Sequence, residues 1–131
     1  MTEADAGSIL ANYERVSKRA NDLYKEAEGL IGVEGSDVLF RELMGSCAHL
    51  EEQAFFMSMD AGVGNLIRDT HARYVVQNFY RAGLYNDVIR FGSIASGYLT
   101  EVDSERTKSQ VQSYVEAATD IVLSGHSQPL P

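Results

Sequence analysis

The chain has 131 residues, 44% of them hydrophobic, a length and apolar content typical of one folded domain and not of a disordered chain. Its 19 acidic and 11 basic residues give a formal net charge of −8. This charge repels phosphate backbones, so extended double-stranded nucleic acid is a poor partner, and a basic protein surface or another copy of the chain is a better one.

Helical periodicity begins near the N-terminus. Prolines are confined to Pro129 and Pro131, and no alternating run rich in Val, Ile and Thr is long enough to predict a strand. The first helix is predicted from about Ser8 to Ile31, because its apolar residues alternate in steps of four and three. That apolar stripe comprises Ile9, Tyr13, Val16, Ala20, Leu23, Ala27 and Leu30.

The second and third helices follow glycine-containing breaks. In "GVEGSD", Gly32 and Gly35 end the first helix, and Ser36 or Asp37 caps the second. The second stripe comprises Phe40, Leu43, Cys47, Leu50, Ala54 and Met57. After the break "DAGVGN", the pattern predicts a third helix over residues 66–82.

The stretch "NFYRAGLYNDVIRFG", residues 78–92, predicts a helical hairpin. Gly83 is the expected C′ residue of the third helix, because glycine adopts a left-handed backbone at little cost, and Leu84 is placed to pack over the turn. The fourth stripe comprises Leu84, Val88, Phe91, Ala95, Tyr98 and Val102. "DSER", residues 103–106, then supplies a capping residue and a first-turn acid for a fifth helix. The fifth stripe comprises Val111, Val115, Ala118 and Val122.

Together these elements predict an all-α fold, an antiparallel bundle of four to five helices with short connections. Residues 1–125 are expected to form one helical-bundle domain, and residues 126–131 a flexible C-terminal tail. The apolar runs are too short for a membrane span, the N-terminus does not resemble a signal peptide, and the single Cys47 excludes an internal disulfide. We therefore expect a cytoplasmic protein without membrane contact.

No residue pattern indicates a catalytic, metal or cofactor site. The chain lacks the Glu-x-x-His of di-iron bundles, and His49 with Glu52 offers one reversed pair. Cys47 and His49 project about 200° apart on a helix, which excludes a nucleophile–base pair between them. Cys47 is expected to be a small buried hydrophobe. We therefore predict that the protein is not an enzyme and holds no metal or cofactor.

The third helix carries "RDTHAR", residues 68–73, which includes two oppositely charged residues four apart and one histidine. Asp69 and Arg73 are four apart, so we expect them to pair along one helix face. His71 is expected at the surface, although a histidine facing a cleft would be a candidate general base. The pattern thus favours a solvated polar face on this helix.

The hairpin resembles that of known helical families. "FYRAGLYNDVIRFGSIASGYL" resembles the helix–Gly-x-Tyr–helix hairpin of HEPN-type domains and is similar to the C-terminal hairpin of the translin family, with "ERTKSQVQSYVEAATDIV" as the next helix. The resemblance covers residues 66–123, and tetratricopeptide units share its turn residues. It implies an RNA-binding or RNA-processing protein whose contacts are Arg68, Arg73, Arg81 and Arg90. The Arg–His spacing of HEPN ribonucleases and the paired carboxylates of translin-family nucleases have no match here, so kinship implies a member without catalytic residues.

A surplus of apolar and aromatic residues favours a protein-binding role. Leu10, Tyr24 and Ile31 make the first stripe wider than one neighbouring helix covers. The chain has seven Tyr residues, and Tyr is favoured at interfaces because its ring is apolar and its hydroxyl is polar. With Tyr80 and Tyr85 of the hairpin, these residues are the predicted interaction surface of a protein that binds itself or a protein partner. RNA binding is the alternative, and nucleic-acid mimicry by the acidic surface has less support because the acids form no long run.

Overall fold

The computed structural model describes residues 3–125, which form five α-helices and one short 3₁₀ helix, with no strand among them. The elements are α1 (Glu3–Glu28), α2 (Asp37–Ala61), α3 (Asn65–Arg81), α4 (Tyr85–Ser96), the 3₁₀ helix (Val102–Ser104) and α5 (Glu105–Ser124). The predicted all-α bundle is therefore confirmed. No helix in this part of the chain is long and apolar enough to span a bilayer. The predicted tail, residues 126–131, lies outside the described residues.

The helices form two layers. Each helix packs against the next one, and α5 also packs back against α3. Because the connections are short, successive helices are antiparallel, so α1, α3 and α5 point the same way. A ring contact between Tyr24 and Tyr74 places α1 beside α3, and one between Phe55 and Phe91 places α2 beside α4. The first layer is therefore α1–α3–α5, and the second is α2–α4.

The main core lies between α2, α3, α4 and α5. Phe55, Phe79 and Phe91 are fully buried there, and each aromatic side chain of this kind contributes about 1.5–3 kcal/mol on removal from water. Helix α1 adds two smaller contacts, in which Ala20 and Ala27 are buried against α2. Since these side chains are small, α1 lies close to α2 but contributes little to the main core.

The α3–α4 hairpin has the predicted glycine cap. Gly83 has a φ of +77°, in the left-handed region that favours glycine. The N–H of Gly83 donates to the carbonyl of Tyr80 at 3.0 Å, and the N–H of Leu84 donates to the carbonyl of Phe79 at 2.9 Å. This pair of bonds is the Schellman arrangement, which satisfies carbonyls at a helix end. Leu84 also packs over Gly45 of α2, so the turn is fixed to the neighbouring helix.

The first helix is shifted relative to its prediction. Helix α1 runs from Glu3 to Glu28, whereas the sequence pattern predicted Ser8 to Ile31. The stripe lies on the predicted side, because Tyr13 is buried. Beyond Glu28 the backbone makes tight turns that include two glycines at positive φ. The chain therefore leaves the helix before Ile31, and that side chain is 56% exposed.

The fourth helix is shorter than predicted. It ends before Tyr98 and Val102, which are 41% and 83% exposed and do not continue its buried stripe. The reason is that the chain turns and inserts Leu99 into the core, where it is only 1% exposed. Ser104 of the predicted segment "DSER" then stands at the N-cap position of α5, and Glu105 is the acid in the first turn.

Candidate functional site: a groove between α1, α3 and α5

A groove runs along the first layer of helices, with α3 as its floor and α1 and α5 as its walls. Its volume is about 490 Å³, within the range of about 300–1,000 Å³ that is usual for ligand sites. The lining residues are Tyr24 from α1, Arg73, Tyr74 and Gln77 from α3, and Gln110, Ser113 and Tyr114 from α5. The groove exists because α5 packs on α3, whereas α1 reaches α3 through side-chain contacts such as Tyr24 on Tyr74 and leaves the space between them open.

Tyrosine rings shape one side of the groove. The rings of Tyr24 and Tyr74 meet edge to face with centroids 5.7 Å apart. Tyr114 contacts Tyr80 at 5.6 Å, and Tyr80 in turn contacts Tyr85 at 5.3 Å. Of the predicted interaction residues, Tyr24 therefore lines the groove, while Tyr80 and Tyr85 support Tyr114 from behind. Such edge-to-face pairs fix ring positions and leave the hydroxyls to form hydrogen bonds.

The electrostatics of the groove differ from those of the whole chain. Among the described residues, Arg73 is the one charged side chain that lines the groove. Its guanidinium lies over the ring of Tyr74, 5.7 Å from the centroid. None of the ion pairs among the described side chains, residues 7–125, involves Arg73. Burial raises the pKa of Tyr114, and the positive charges of Arg81 and Arg73 offset part of that rise.

Arg68 belongs to a buried polar cluster near the start of α3. Its guanidinium pairs with Asp69 at 2.9 Å and with Glu101 at 2.8 Å, and its side chain is 7% exposed. The hydroxyl of Ser104 donates to Asp69 Oδ2 at 2.5 Å. The prediction that Asp69 pairs with Arg73 is therefore wrong, because Asp69 turns inward and holds the start of α5 against α3.

The other predicted RNA contacts do not form a strip of free cations either. Arg90 pairs with Glu52 at 2.7 Å, and Arg81 pairs with Glu28 at 3.4 Å. Arg73 is thus the one of the four predicted arginines without a carboxylate partner in the described chain. The structure does not gather these arginines on one open face.

The two remaining predicted interaction residues lie away from the groove. Leu10, near the start of α1, is 40% exposed. Ile31, beyond the end of α1, is exposed together with Val33 of the α1–α2 connection and Val38 of the first turn of α2. The five predicted residues therefore do not form one surface. The groove residues of α5 were missed by the sequence reasoning, because the spacing of Gln110 and Ser113 shows a polar helix face but not which helices flank it.

His71 is buried, so the prediction of a surface histidine is wrong. Its Nδ1 lies 2.6 Å from Glu51 Oε2, and its Nε2 lies 2.6 Å from the hydroxyl of Tyr13. Since a carboxylate only accepts, Nδ1–H donates to Glu51, and in the neutral ring the Tyr13 hydroxyl donates to Nε2. Burial raises the pKa of Tyr13, which keeps this hydroxyl protonated. One signal was available in the sequence, since Glu51 stands four residues after the buried Cys47 and hence on the same helix face.

Cys47 is buried, as predicted. Its thiol donates to the carbonyl of Ala20 in α1 at 3.1 Å, and burial raises its pKa to about 12. A protonated, buried thiol is a poor nucleophile and a poor metal ligand. Within residues 3–125, no group of three or more His, Cys, Asp and Glu side chains is placed to hold a metal ion.

Comparison with known proteins gives no family for this chain. No family model matches it. No curated protein and no solved structure matches it. A function is therefore inferred from the geometry of the groove and the chemistry of its lining.

Proposed function

We propose that this protein is a non-catalytic binding module that holds a short segment of a partner protein in the groove between α1, α3 and α5. The observation that carries the proposal is the lining of the groove, which combines three tyrosine rings with two glutamine amides and one guanidinium. A peptide offers apolar side chains to such rings and main-chain N–H and C=O groups to such amides.

The chemistry of the titratable groups supports a binding role over a catalytic one. Both ring nitrogens of His71 are within 2.6 Å of a hydrogen-bond partner, and the thiol of Cys47 is buried. A general base or a nucleophile has to reach its substrate, and the thiol of Cys47 is fully buried. His71 lines a second groove, between α1 and α3, but both of its ring nitrogens are occupied by Glu51 and Tyr13. The groove between α1, α3 and α5 offers hydrogen bonds, apolar contact and one positive charge, which are the means of recognition.

RNA binding has less support from the same geometry. Single-stranded RNA requires a positive track along its backbone as well as stacking rings. Of the four arginines predicted for RNA contact, three are paired with carboxylates, and only Arg73 lines the groove. We therefore treat RNA, like a second copy of the chain, as an alternative ligand that the experiment has to distinguish.

A peptide selection tests the proposal. Random displayed peptides of about ten residues are selected on the wild-type chain, and enriched peptides are synthesised and their affinity is measured. Ser113→Trp places a large ring in the groove from an exposed position on α5, and Gln112→Trp places the same ring on another face of that helix. We expect enriched peptides to lose affinity by about tenfold or more with Ser113→Trp and to keep it with Gln112→Trp.

The competing ligands are measured on the same three proteins. Light scattering reports self-association, and an oligouridine titration at low salt reports binding of single-stranded RNA. Failure to enrich any peptide, or equal affinity in the Ser113→Trp variant, would contradict the proposal. Oligouridine binding that is lost with Ser113→Trp, in the absence of peptide binding, would replace it with the RNA alternative.

A further inference from the structure

We infer that the segment held in the groove is acidic and that an Asp or Glu side chain of the partner forms a salt bridge with Arg73. This inference rests on the proposed function, since it specifies which partner segment the groove selects. It differs from the expectation set by the net charge of −8, which favours a basic partner for the surface as a whole.

The charge that lines the groove is opposite in sign to the net charge of the chain. The chain carries 19 acidic residues, yet no described Asp or Glu lines the groove, whereas Arg73 does. The neighbouring cation Arg81 is already paired with Glu28. At physiological ionic strength, charges more than about 8 Å away are largely screened. Glu28 lies beside the groove, where it interacts with the hydroxyl of Tyr24 and pairs with Arg81. A bound carboxylate therefore depends on the guanidinium of Arg73, which has no such carboxylate partner.

The guanidinium of Arg73 is placed where a ligand in the groove can reach it. Its guanidinium lies 5.7 Å from the ring centroid of Tyr74, a cation–π contact that holds the group over the floor of the groove. A guanidinium held in this way keeps N–H groups at its edge, and these match the two oxygens of a carboxylate. Because Arg73 has no carboxylate partner among the described side chains, residues 7–125, this donor set is available to a ligand.

A single carboxylate matches the charge of Arg73 better than a phosphate or an RNA backbone does. A carboxylate carries one negative charge, and one guanidinium neutralises it. A phosphorylated side chain or an RNA backbone brings more negative charge than Arg73 alone neutralises. Arg81 adds little to Arg73, because it is already paired with Glu28. The rings of Tyr24 and Tyr114 on the two walls then contact the apolar residues that flank the acid. The groove thus selects an acidic side chain within an apolar context.

Parallel selections test this inference. The same peptide library is selected on the wild-type chain, on Arg73→Gln and on Arg106→Gln, a matched loss of one exposed arginine outside the groove. We expect Asp or Glu to be enriched at one position in the wild-type and Arg106→Gln pools and not in the Arg73→Gln pool. In a synthetic wild-type-selected peptide, changing that acid to its amide should weaken binding about tenfold to the wild type and not to Arg73→Gln.

The outcomes separate the two proposals. Peptides that bind in the groove but show no acid preference would overturn the acidic-segment inference and leave the proposed function standing. Peptides whose acid preference persists in Arg73→Gln would also overturn it, because another group would then bind the acid. Failure to enrich any peptide on the wild type would contradict the proposed function itself.

Discussion

Gly92 offers a sharp test of how α4 and α5 pack. It lies buried in α4, facing α5, and a methyl group there would lie closer than 3.0 Å to Cγ2 of Val115. The same methyl group would be 3.6 Å from Cγ1 of Val111. Val115 cannot turn aside easily, because a β-branched side chain in a helix has essentially one χ1 rotamer. Relief therefore requires α5 to move away from α4.

Two effects of opposite sign decide the stability of Gly92→Ala. Replacing glycine by alanine inside a helix stabilises it by about 0.8–1.0 kcal/mol, whereas overpacking a core costs about 1–3 kcal/mol. We therefore expect Gly92→Ala to lower the free energy of unfolding by about 1 kcal/mol. Urea unfolding followed by circular dichroism measures this as a lower midpoint at unchanged slope.

Gly45→Ala is the matched control. Its methyl group would lie 3.2 Å from Cδ1 of Leu84, the end of a side chain that is 37% exposed and able to shift. We expect that variant to be as stable as the wild type or more stable by up to about 1 kcal/mol. Adding Val115→Ala should offset part of the cost of Gly92→Ala, giving a coupling energy of about 1 kcal/mol. If Gly92→Ala stabilises the protein as Gly45→Ala does, the close packing of α4 on α5 is refuted.

Three further predictions concern buried polar groups. Tyr13→Phe removes the hydroxyl that donates to His71, so we expect the free energy of unfolding to fall by about 1–3 kcal/mol in urea titrations. The hydrogen bond from Arg68 lowers the pKa of Glu101 from 4.5 to about 2. The stability that this contact contributes is therefore fully present above about pH 4.5 and is lost as the pH falls towards 2, which an acid unfolding titration measures. Cys47 should react with thiol reagents only when the protein opens, because burial raises its pKa to about 12.

Each of these predictions has a control in the chain. Tyr98→Phe changes an exposed ring and should leave stability within about 0.5 kcal/mol of the wild type. Glu101→Gln should make stability depend less on pH in acid unfolding. Glu105 is an exposed acid nearby, and Glu105→Gln should leave that pH dependence unchanged. Ser46→Cys adds an exposed thiol that should react at once. Equal losses of stability in Tyr13→Phe and Tyr98→Phe would contradict the hydrogen bond between Tyr13 and His71. An acid unfolding profile unchanged by Glu101→Gln would contradict the contact between Arg68 and Glu101. Rapid labelling of Cys47 would contradict its burial.

Local sequence signals predicted much of the fold. The alternating steps of three and four residues identify all the helices, because each helix buries one stripe. The glycine at residue 83 and the leucine after it identify the α3–α4 turn, since only a left-handed residue completes that cap. Helix ends without such a cap were less predictable. Helix α4 ends at Ser96, and Leu99 beyond it is buried in the core, which the stripe of the fourth helix does not indicate.

The polar interior and the groove could not be predicted, because both depend on residues from different helices. His71 is buried because Glu51 of α2 and Tyr13 of α1 supply its hydrogen bonds, and neither partner is close to it in sequence. Arg68 is buried for a similar reason, since Glu101 lies beyond α4. The predicted Tyr24 does line the groove, but the groove appears only once α1 and α5 are both placed on α3.

A partner segment is proposed to bind between α1 and α5. The most direct test is an NMR titration of the full ¹⁵N-labelled chain with the most strongly enriched synthetic peptide. We predict that the largest amide shift changes fall at residues 73–77 and 110–114, the groove-lining parts of α3 and α5. Changes confined to the α1–α2 connection around Ile31, with the groove amides unmoved, would place the binding site elsewhere and contradict the claim.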